Sequence, residues 1–199
     1  INIMKRLFDF ITSFCGLILL APIFVLAALW IKVDSRGSIF FQQERVGLKG
    51  EIFKIHKFRT MQVFSEDRGS LTVGNDNRIT RSGQYLRKYK IDELPQLIDV
   101  LLGKMSFVGP RPEVKEFVDT YPTDVKNKVL SVRPGITDMA SIEMVDENEI
   151  LGNYKDSKQA YIDIILPIKQ KHYLDYVGHQ SVWLDIKIIF LTLKKIITR

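Results

Sequence analysis

Phe10-Ile11-Thr12-Ser13-Phe14-Cys15-Gly16-Leu17-Ile18-Leu19-Leu20-Ala21-Pro22-Ile23-Phe24-Val25-Leu26-Ala27-Ala28-Leu29-Trp30-Ile31 runs 22 residues without a charged side chain. As a helix it is long enough to cross roughly 30 Å of hydrocarbon. Three features argue against a straight span. Pro22 removes a helix hydrogen bond in mid-run and favours a kink. Asp9 stands just before the run, a costly place for an unpartnered carboxylate. Both flanks are basic, with Lys5 and Arg6 before and Lys32, Arg36, Arg45 and Lys49 after. A crossing helix cannot put both flanks on the cytoplasmic side, whereas a segment that bends at Pro22 and returns can. A re-entrant helix over residues 1–34 is therefore expected, with a buried soluble core helix as the alternative. A cleaved signal peptide fits poorly, because the run exceeds a usual h-region and lacks a small-x-small site before Lys32.

Working outward, residues 35–199 are enough for one domain, expected on the cytoplasmic face. The one cysteine, Cys15, lies in the apolar run, so no intrachain disulfide forms and a reducing compartment is natural. The net charge of +6 suits an anionic partner such as acidic lipid or a nucleoside diphosphate. Nucleic acid is excluded as a partner: the basic residues are scattered, with no binding motif of interleaved aromatics.

The fold class expected is α+β: a mostly helical, membrane-associated domain with a small β-hairpin. Residues 38–43 and 51–61, rich in Phe, Ile and Thr around Gly47 and Gly50, read as the hairpin. Residues 62–80 read as a mobile loop and 81–90 as a short helix. Residues 106–108 read as an extended piece before the stiff loop Gly109-Pro110-Arg111-Pro112. Helices are expected at 113–120 and 123–130, a second rigid loop at Arg133-Pro134-Gly135, an acidic stretch at 142–152, and a helix over 156–175 kinked at Pro167. Residues 181–199 put Trp183, Ile186, Ile189, Phe190, Leu193, Ile196 and Ile197 on one helical face and lysines elsewhere. That pattern suits a helix lying in a membrane interface or one capping a soluble core.

The chemistry centres on Tyr89-Lys90-Ile91-Asp92-Glu93-Leu94-Pro95-Gln96-Leu97. Leu94, Leu97, Ile98, Leu101 and Leu102 recur at helical spacing, Pro95 fits a first turn, and Gly103 supplies a stop. Asp92 and Glu93 then open a helix. There an acid can be a plain cap, a nucleophile or a cation ligand. Arg111 is clamped between prolines, Arg133 precedes Pro134, Arg87 lies just before Asp92, Arg59 ends a hairpin strand and Arg78 sits in the loop. Arginines in stiff loops beside an acidic turn point to a nucleoside diphosphate with Mg²⁺: cation and guanidinium for charge, carboxylate for attack. A glycosidase needs its carboxylates roughly 5–10 Å apart across the scissile bond, which successive residues do not provide. His56, His172 and His179 lack metal-ligand spacing and read as structural.

Taken in order, several motifs carry a resemblance. They are Lys5-Arg6-Leu7-Phe8-Asp9, the Pro22-broken run, Phe40-Phe41-Gln42-Gln43-Glu44-Arg45-Val46-Gly47 and Phe53-Lys54-Ile55-His56-Lys57-Phe58-Arg59-Thr60-Met61. Next come Arg78-Ile79-Thr80, Leu86-Arg87, Asp92-Glu93-Leu94-Pro95-Gln96-Leu97, Met105-Ser106-Phe107-Val108-Gly109-Pro110-Arg111-Pro112 and Val132-Arg133-Pro134-Gly135-Ile136-Thr137. The chain resembles, over nearly its whole length, the bacterial sugar transferases, the monotopic polyprenyl-phosphate phosphoglycosyl transferases in their short catalytic-core form. The resemblance implies transfer of a sugar-1-phosphate from a UDP-sugar to undecaprenyl phosphate, with UMP released, as the first membrane step of glycan assembly. It implies Asp92 as nucleophile forming a phosphosugar-aspartate, and Glu93 as its partner in metal binding or proton transfer. It also implies Mg²⁺ at both carboxylates, and phosphates or nucleotide held by Arg87, Arg111 and Arg133, joined by Arg59 and Arg78. It places the protein in the bacterial inner membrane among membrane lipids, both ends of the re-entrant helix cytoplasmic, and leaves room for a homodimer. One departure stands out: Asp138-Met139-Ala140-Ser141 replaces the commoner Gly-Trp-Ala-Gln, a change expected in substrate recognition. The alternative to an enzyme is a membrane-bound scaffold that uses its basic surface, which would not need Asp92.

Overall fold

The computed structural model describes residues 3–62, 76–144 and 147–198. The apolar run folds as two helices, α1 (Ile3–Leu19) and α2 (Ala21–Asp34), bent by 59°. Pro22 sits in the first turn of α2. Lacking an N–H, it leaves the Ile18 carbonyl without its i→i−4 partner, and the axis breaks there. No single helix among the described residues is long and apolar enough to cross a membrane; only the bent pair together has the length and composition. The burial on α1 is inverted. Its buried side chains are Lys5, Asp9 and Ser13, while Ile11, Phe14 and Ile18 face outward.

The hairpin forms as expected and is shifted along the chain by a few residues. Strands β1 (Phe40–Val46) and β2 (Ile52–Phe58) pair antiparallel from Phe40↔Phe58 to Val46↔Ile52. Beyond it, Met61 bridges Ile79, and the expected mobile loop lies mostly at residues 63–75, outside the described residues. Helix α3 (Arg81–Lys88) packs on α2, and Ala27, Ile31, Phe58 and Leu86 form a small core between them and the hairpin.

The Asp92 turn differs from its expected form. Ile91–Glu93 is a 3₁₀ turn, and α4 (Gln96–Leu101) begins only after Pro95. Lys90 adopts the left-handed conformation, φ 57°, and starts the turn. The N–H groups of Glu93, Leu94, Leu97 and Ile98 each reach back three residues. Pro95 has no N–H to offer Ile91, so the tighter spacing persists across it. The helix ends at Gly103 in the left-handed region, as expected.

Strand β3 (Ser106–Val108) pairs parallel with β4 (Gly135–Thr137), so the loop expected at Arg133-Pro134-Gly135 runs directly into a strand. A Cβ on Gly135 would stand 2.1 Å from the Gly109 nitrogen, so only glycine permits the approach. Then come α5 (Lys115–Val118), α6 (Thr123–Val129), α7 (Met139–Glu143), α8 (Glu147–Gly152) and α9 (Ser157–Ala160). A π turn at Tyr161–Ile165 leads into α10 (Leu166–His179), with Pro167 in its first turn, and α11 (Val182–Ile197) follows. The largest core gathers Phe117, Tyr121, Val129, Leu151, Tyr161, Ile165 and Tyr173. Mixed helix with two-stranded sheets makes the fold α+β.

Candidate active site

Asp92 and Glu93 are both buried on the 3₁₀ turn and are held in different ways. Glu93 accepts from Lys57 Nζ at 3.0 Å and from Arg111 through both guanidinium nitrogens. Asp92 Oδ1 is buried and finds no hydrogen-bond partner among the described residues. Such an atom normally costs about 1–3 kcal/mol. It is the exception that asks for a ligand or a reaction.

The electrostatics follow this division. Burial acts to raise the Glu93 carboxyl, yet Arg111 and Lys57 outweigh it and hold Glu93 well below the usual range. Burial raises the Asp92 carboxyl, and the Glu93 charge raises it further against Lys57, Lys90 and Arg87. Glu93 in turn lifts the Arg111 guanidinium well above its ordinary value. Burial lowers Lys57, opposed by Glu93. One carboxylate is thus fixed in its charged form, and the other is frustrated.

Arg111 is positioned by its loop. Gly109 N–H donates to the Thr137 carbonyl and Gly135 N–H to the Pro110 carbonyl, stitching the loop to β4. On the far side Arg45 donates to the Pro112 carbonyl at 3.2 Å, and Tyr161 Oη donates to Glu113 at 2.6 Å. The π turn carries Tyr161 to that bond, and such turns recur at functional sites.

Of the arginines singled out in the sequence, Arg111 meets the acidic pair directly. Arg87 donates to Thr60 Oγ1 at 2.9 Å and bears electrostatically on Asp92. Arg78 pairs with Asp76, and both bear on Arg87. Arg59 instead binds the Ser35 and Arg36 carbonyls at the end of α2. Arg133 donates to the Gly103 carbonyl beside Arg6, which donates to Val100 and Leu101. These last two are cations at the C-terminal end of α4, where the helix dipole favours them. His56 bonds Asp99 through its backbone N–H and Nδ1, a structural pairing.

Lys57 and Lys90 belong to the site and were not singled out. A lysine in a strand, or beside an acidic turn, looks like any solvated one, and Lys57 stands in a motif that also carries Lys54, His56 and Arg59. Asp138 caps α7 by accepting from Ser141 N–H and Oγ, and lies within electrostatic reach of Arg111. A pair of carboxylates among cations suits a phosphate-bearing ligand.

The sequence model of the family described as bacterial sugar transferase matches residues 1–199. The UDP-glucose:undecaprenyl-phosphate glucose-1-phosphate transferase of Klebsiella pneumoniae is 38% identical over 197 residues, 97% of this chain and 40% of that protein. The UDP-N-acetylgalactosamine-undecaprenyl-phosphate N-acetylgalactosaminephosphotransferase of Aeromonas hydrophila is 36% identical, over 98% of this chain and 44% of that protein. The exopolysaccharide production protein PSS of Rhizobium leguminosarum bv. phaseoli is 36% identical, over 99% of this chain and 96% of that one. The chain therefore spans about two-fifths of the first two relatives' length. With the motifs in order along the whole match, the chain belongs to the bacterial sugar transferase family.

Proposed function

We propose that the protein transfers a sugar-1-phosphate from a UDP-sugar to undecaprenyl phosphate through a covalent phosphosugar-aspartate, as the first membrane step of glycan assembly. The observation that carries this is the unpartnered, buried Asp92 Oδ1 beside a carboxylate neutralised by Arg111 and Lys57. Asp92 Oδ1 attacks the β-phosphorus, and the bond to the bridging oxygen breaks as UMP leaves with its electron pair. An oxygen of the lipid phosphate then attacks the same phosphorus and Asp92 departs. Arg111, Lys57, Arg87 and Lys90 offset the phosphate charge that builds in both steps. Held ionised by Arg111 and Lys57, Glu93 keeps those cations in place and is better suited to binding a cation than to taking a proton.

Mg²⁺ fits this set. Among the described residues no group of three His, Cys, Asp or Glu side chains could hold a metal, and Mg²⁺ needs only one or two carboxylates when phosphates and waters complete its shell. Glu93 and the second carboxylate oxygen of Asp92 would hold it, leaving Oδ1 for attack; when bound it supplies charge neutralisation for the diphosphate.

The inverted α1, polar inside and apolar outside, supports residues 1–34 as the re-entrant segment in the inner membrane. Residues 35–199 form the cytoplasmic domain, with the outer face of α11 in the lipid interface. The deciding experiment measures UMP release from a panel of UDP-sugars with undecaprenyl phosphate and Mg²⁺. Wild type releases UMP and Asp92→Asn does not. Equal release by both would remove Asp92 from the chemistry, and silence of folded wild type across the panel would favour a scaffold.

A further inference from the structure

Beside the acidic pair opens a groove with about 190 Å³ of room, reaching from Glu93 and Arg111 to the C-terminal half of α11. Leu94 and Leu97 of the Asp92 turn and α4 form one wall, and Ile142, Ile189 and Leu193 line the opposite side. Two hydroxyls in the lining satisfy each other: Thr137 Oγ1 and Thr192 Oγ1 are 2.7 Å apart, and Thr192 also donates to the Ile188 carbonyl. Ser141 Oγ is likewise taken, donating to Asp138, so Arg111, Lys88, Lys90 and Lys195 supply the polar contacts left to a ligand.

Helix α11 explains why such a groove can open to lipid. Its inner face packs through Asp185 and Ile188, while Trp183, Ile186, Phe190, Leu193 and Ile197 remain exposed. Leu193 belongs to both surfaces, since it is exposed and lines the groove. The helix is a thin wall between an apolar exterior and an apolar interior.

We infer that this groove seats the isoprene units nearest the phosphate of the lipid acceptor, with the phosphate at Arg111 and the lysine rim and α11 as the wall that selects the chain. The inference rests on the proposed transfer reaction for the identity of the acceptor. A phosphate carrying an unsaturated hydrocarbon chain matches the groove in two ways. Its anion meets the cations of the lining, and its chain meets the apolar surface that makes up most of it. A sugar would leave its hydroxyls unpaired along that lining, which excludes the sugar part of the donor from the same space. Recognition would then lie in the chain's first units, so that a short prenyl phosphate suffices as acceptor.

The test narrows the groove without touching the acidic pair. Ile142→Trp and Leu193→Trp should raise KM for nerylneryl phosphate roughly tenfold or more. They should leave untouched the stoichiometric UMP burst that the donor gives without acceptor. An unchanged acceptor KM in both folded variants, or a burst that falls in step with it, would overturn the inference. Wild type in nanodiscs is also photolabelled with geranyl phosphate carrying a benzophenone on its terminal unit. Adducts are expected within residues 136–142 and 189–196; adducts confined to α1 and α2 would overturn it. Labelling needs no turnover, so a protein that labels in the groove yet never releases UMP would keep the groove and refute the transfer chemistry. Labelling elsewhere with normal turnover would do the reverse.

Discussion

Two neighbouring carboxylates with opposite shifts make separable predictions. Asp92 is raised, so its proton is held more tightly in the folded protein than in the unfolded chain. Stability from this group is full at low pH and is lost as pH rises through the raised value. Asp92→Asn should therefore melt above wild type at neutral pH while losing transfer activity, a trade expected where function keeps a frustrated group. As the proposed nucleophile, Asp92 must be ionised, so kcat/KM should fall on acidification at a pH above that of an ordinary aspartate. A profile breaking only in the ordinary range would show that a bound cation offsets the effect of burial on Asp92 in the working enzyme. Glu93 is lowered, so its contribution is present above the usual carboxylate range and is lost as pH falls through the depressed value. Glu93→Gln leaves the half-buried Arg111 and Lys57 without their counter-charge, and denaturant titration should show a loss of about 3 kcal/mol, the lower end for a buried pair. The acidic pair was legible in the sequence because Pro95, the leucine spacing and Arg111 between prolines all converge on it. Arg59 and Arg133 show the limit of that legibility. A guanidinium fits a phosphate and a helix-end carbonyl equally well by chemistry, and only the fold shows that these two take carbonyls.

At the scale of elements, periodicity found what was long and missed what was short. The hairpin, α3 and α11 carry enough residues for a pattern; β4 has three and is made by contact between Gly109 and Gly135, which no local rule announces. Gly135→Ala should consequently abolish soluble, folded protein, because its Cβ would strike the Gly109 backbone. The Asp92 turn was expected as helix because the leucine spacing continues through it; the N–H missing from Pro95 decided for 3₁₀. Pro22 was identified from sequence alone as the bend, and α1 and α2 do diverge there. Pro22→Ala should straighten the pair. Spin labels at Met4→Cys and Val33→Cys, both exposed positions, in a Cys15→Ser background would then report a longer distance in nanodiscs. An unchanged distance would assign the bend to packing against α4 instead.

For the whole molecule, apolar surface is turned outward on α1, α2 and α11 together. Trp183→Glu with Phe190→Glu alters only the exposed side of α11 and leaves Asp185 and Ile188 in place. Vesicle flotation should weaken by ~1.5–3 kcal/mol for each side chain removed from lipid, with circular dichroism unchanged. Where α11 would pack could not be read from its pattern, since one apolar face suits a lipid interface and a protein core alike; the structure packs the helix through Asp185 and Ile188 instead. That aspartate also links the two ends of the described chain. Lys5 donates to Asp185 Oδ2 at 2.5 Å and to the Val108 carbonyl, across 180 residues of sequence, and Tyr176 Oη completes the cluster. A ribosome adding 5–20 residues per second needs roughly 9–36 s to make that partner after Lys5 has been added. For that interval Lys5 is a cation without its counter-ion at the head of an apolar helix. Closure of α1 onto α11 is thus a late event in biogenesis, and α1 must wait for it with its polar inner face uncovered.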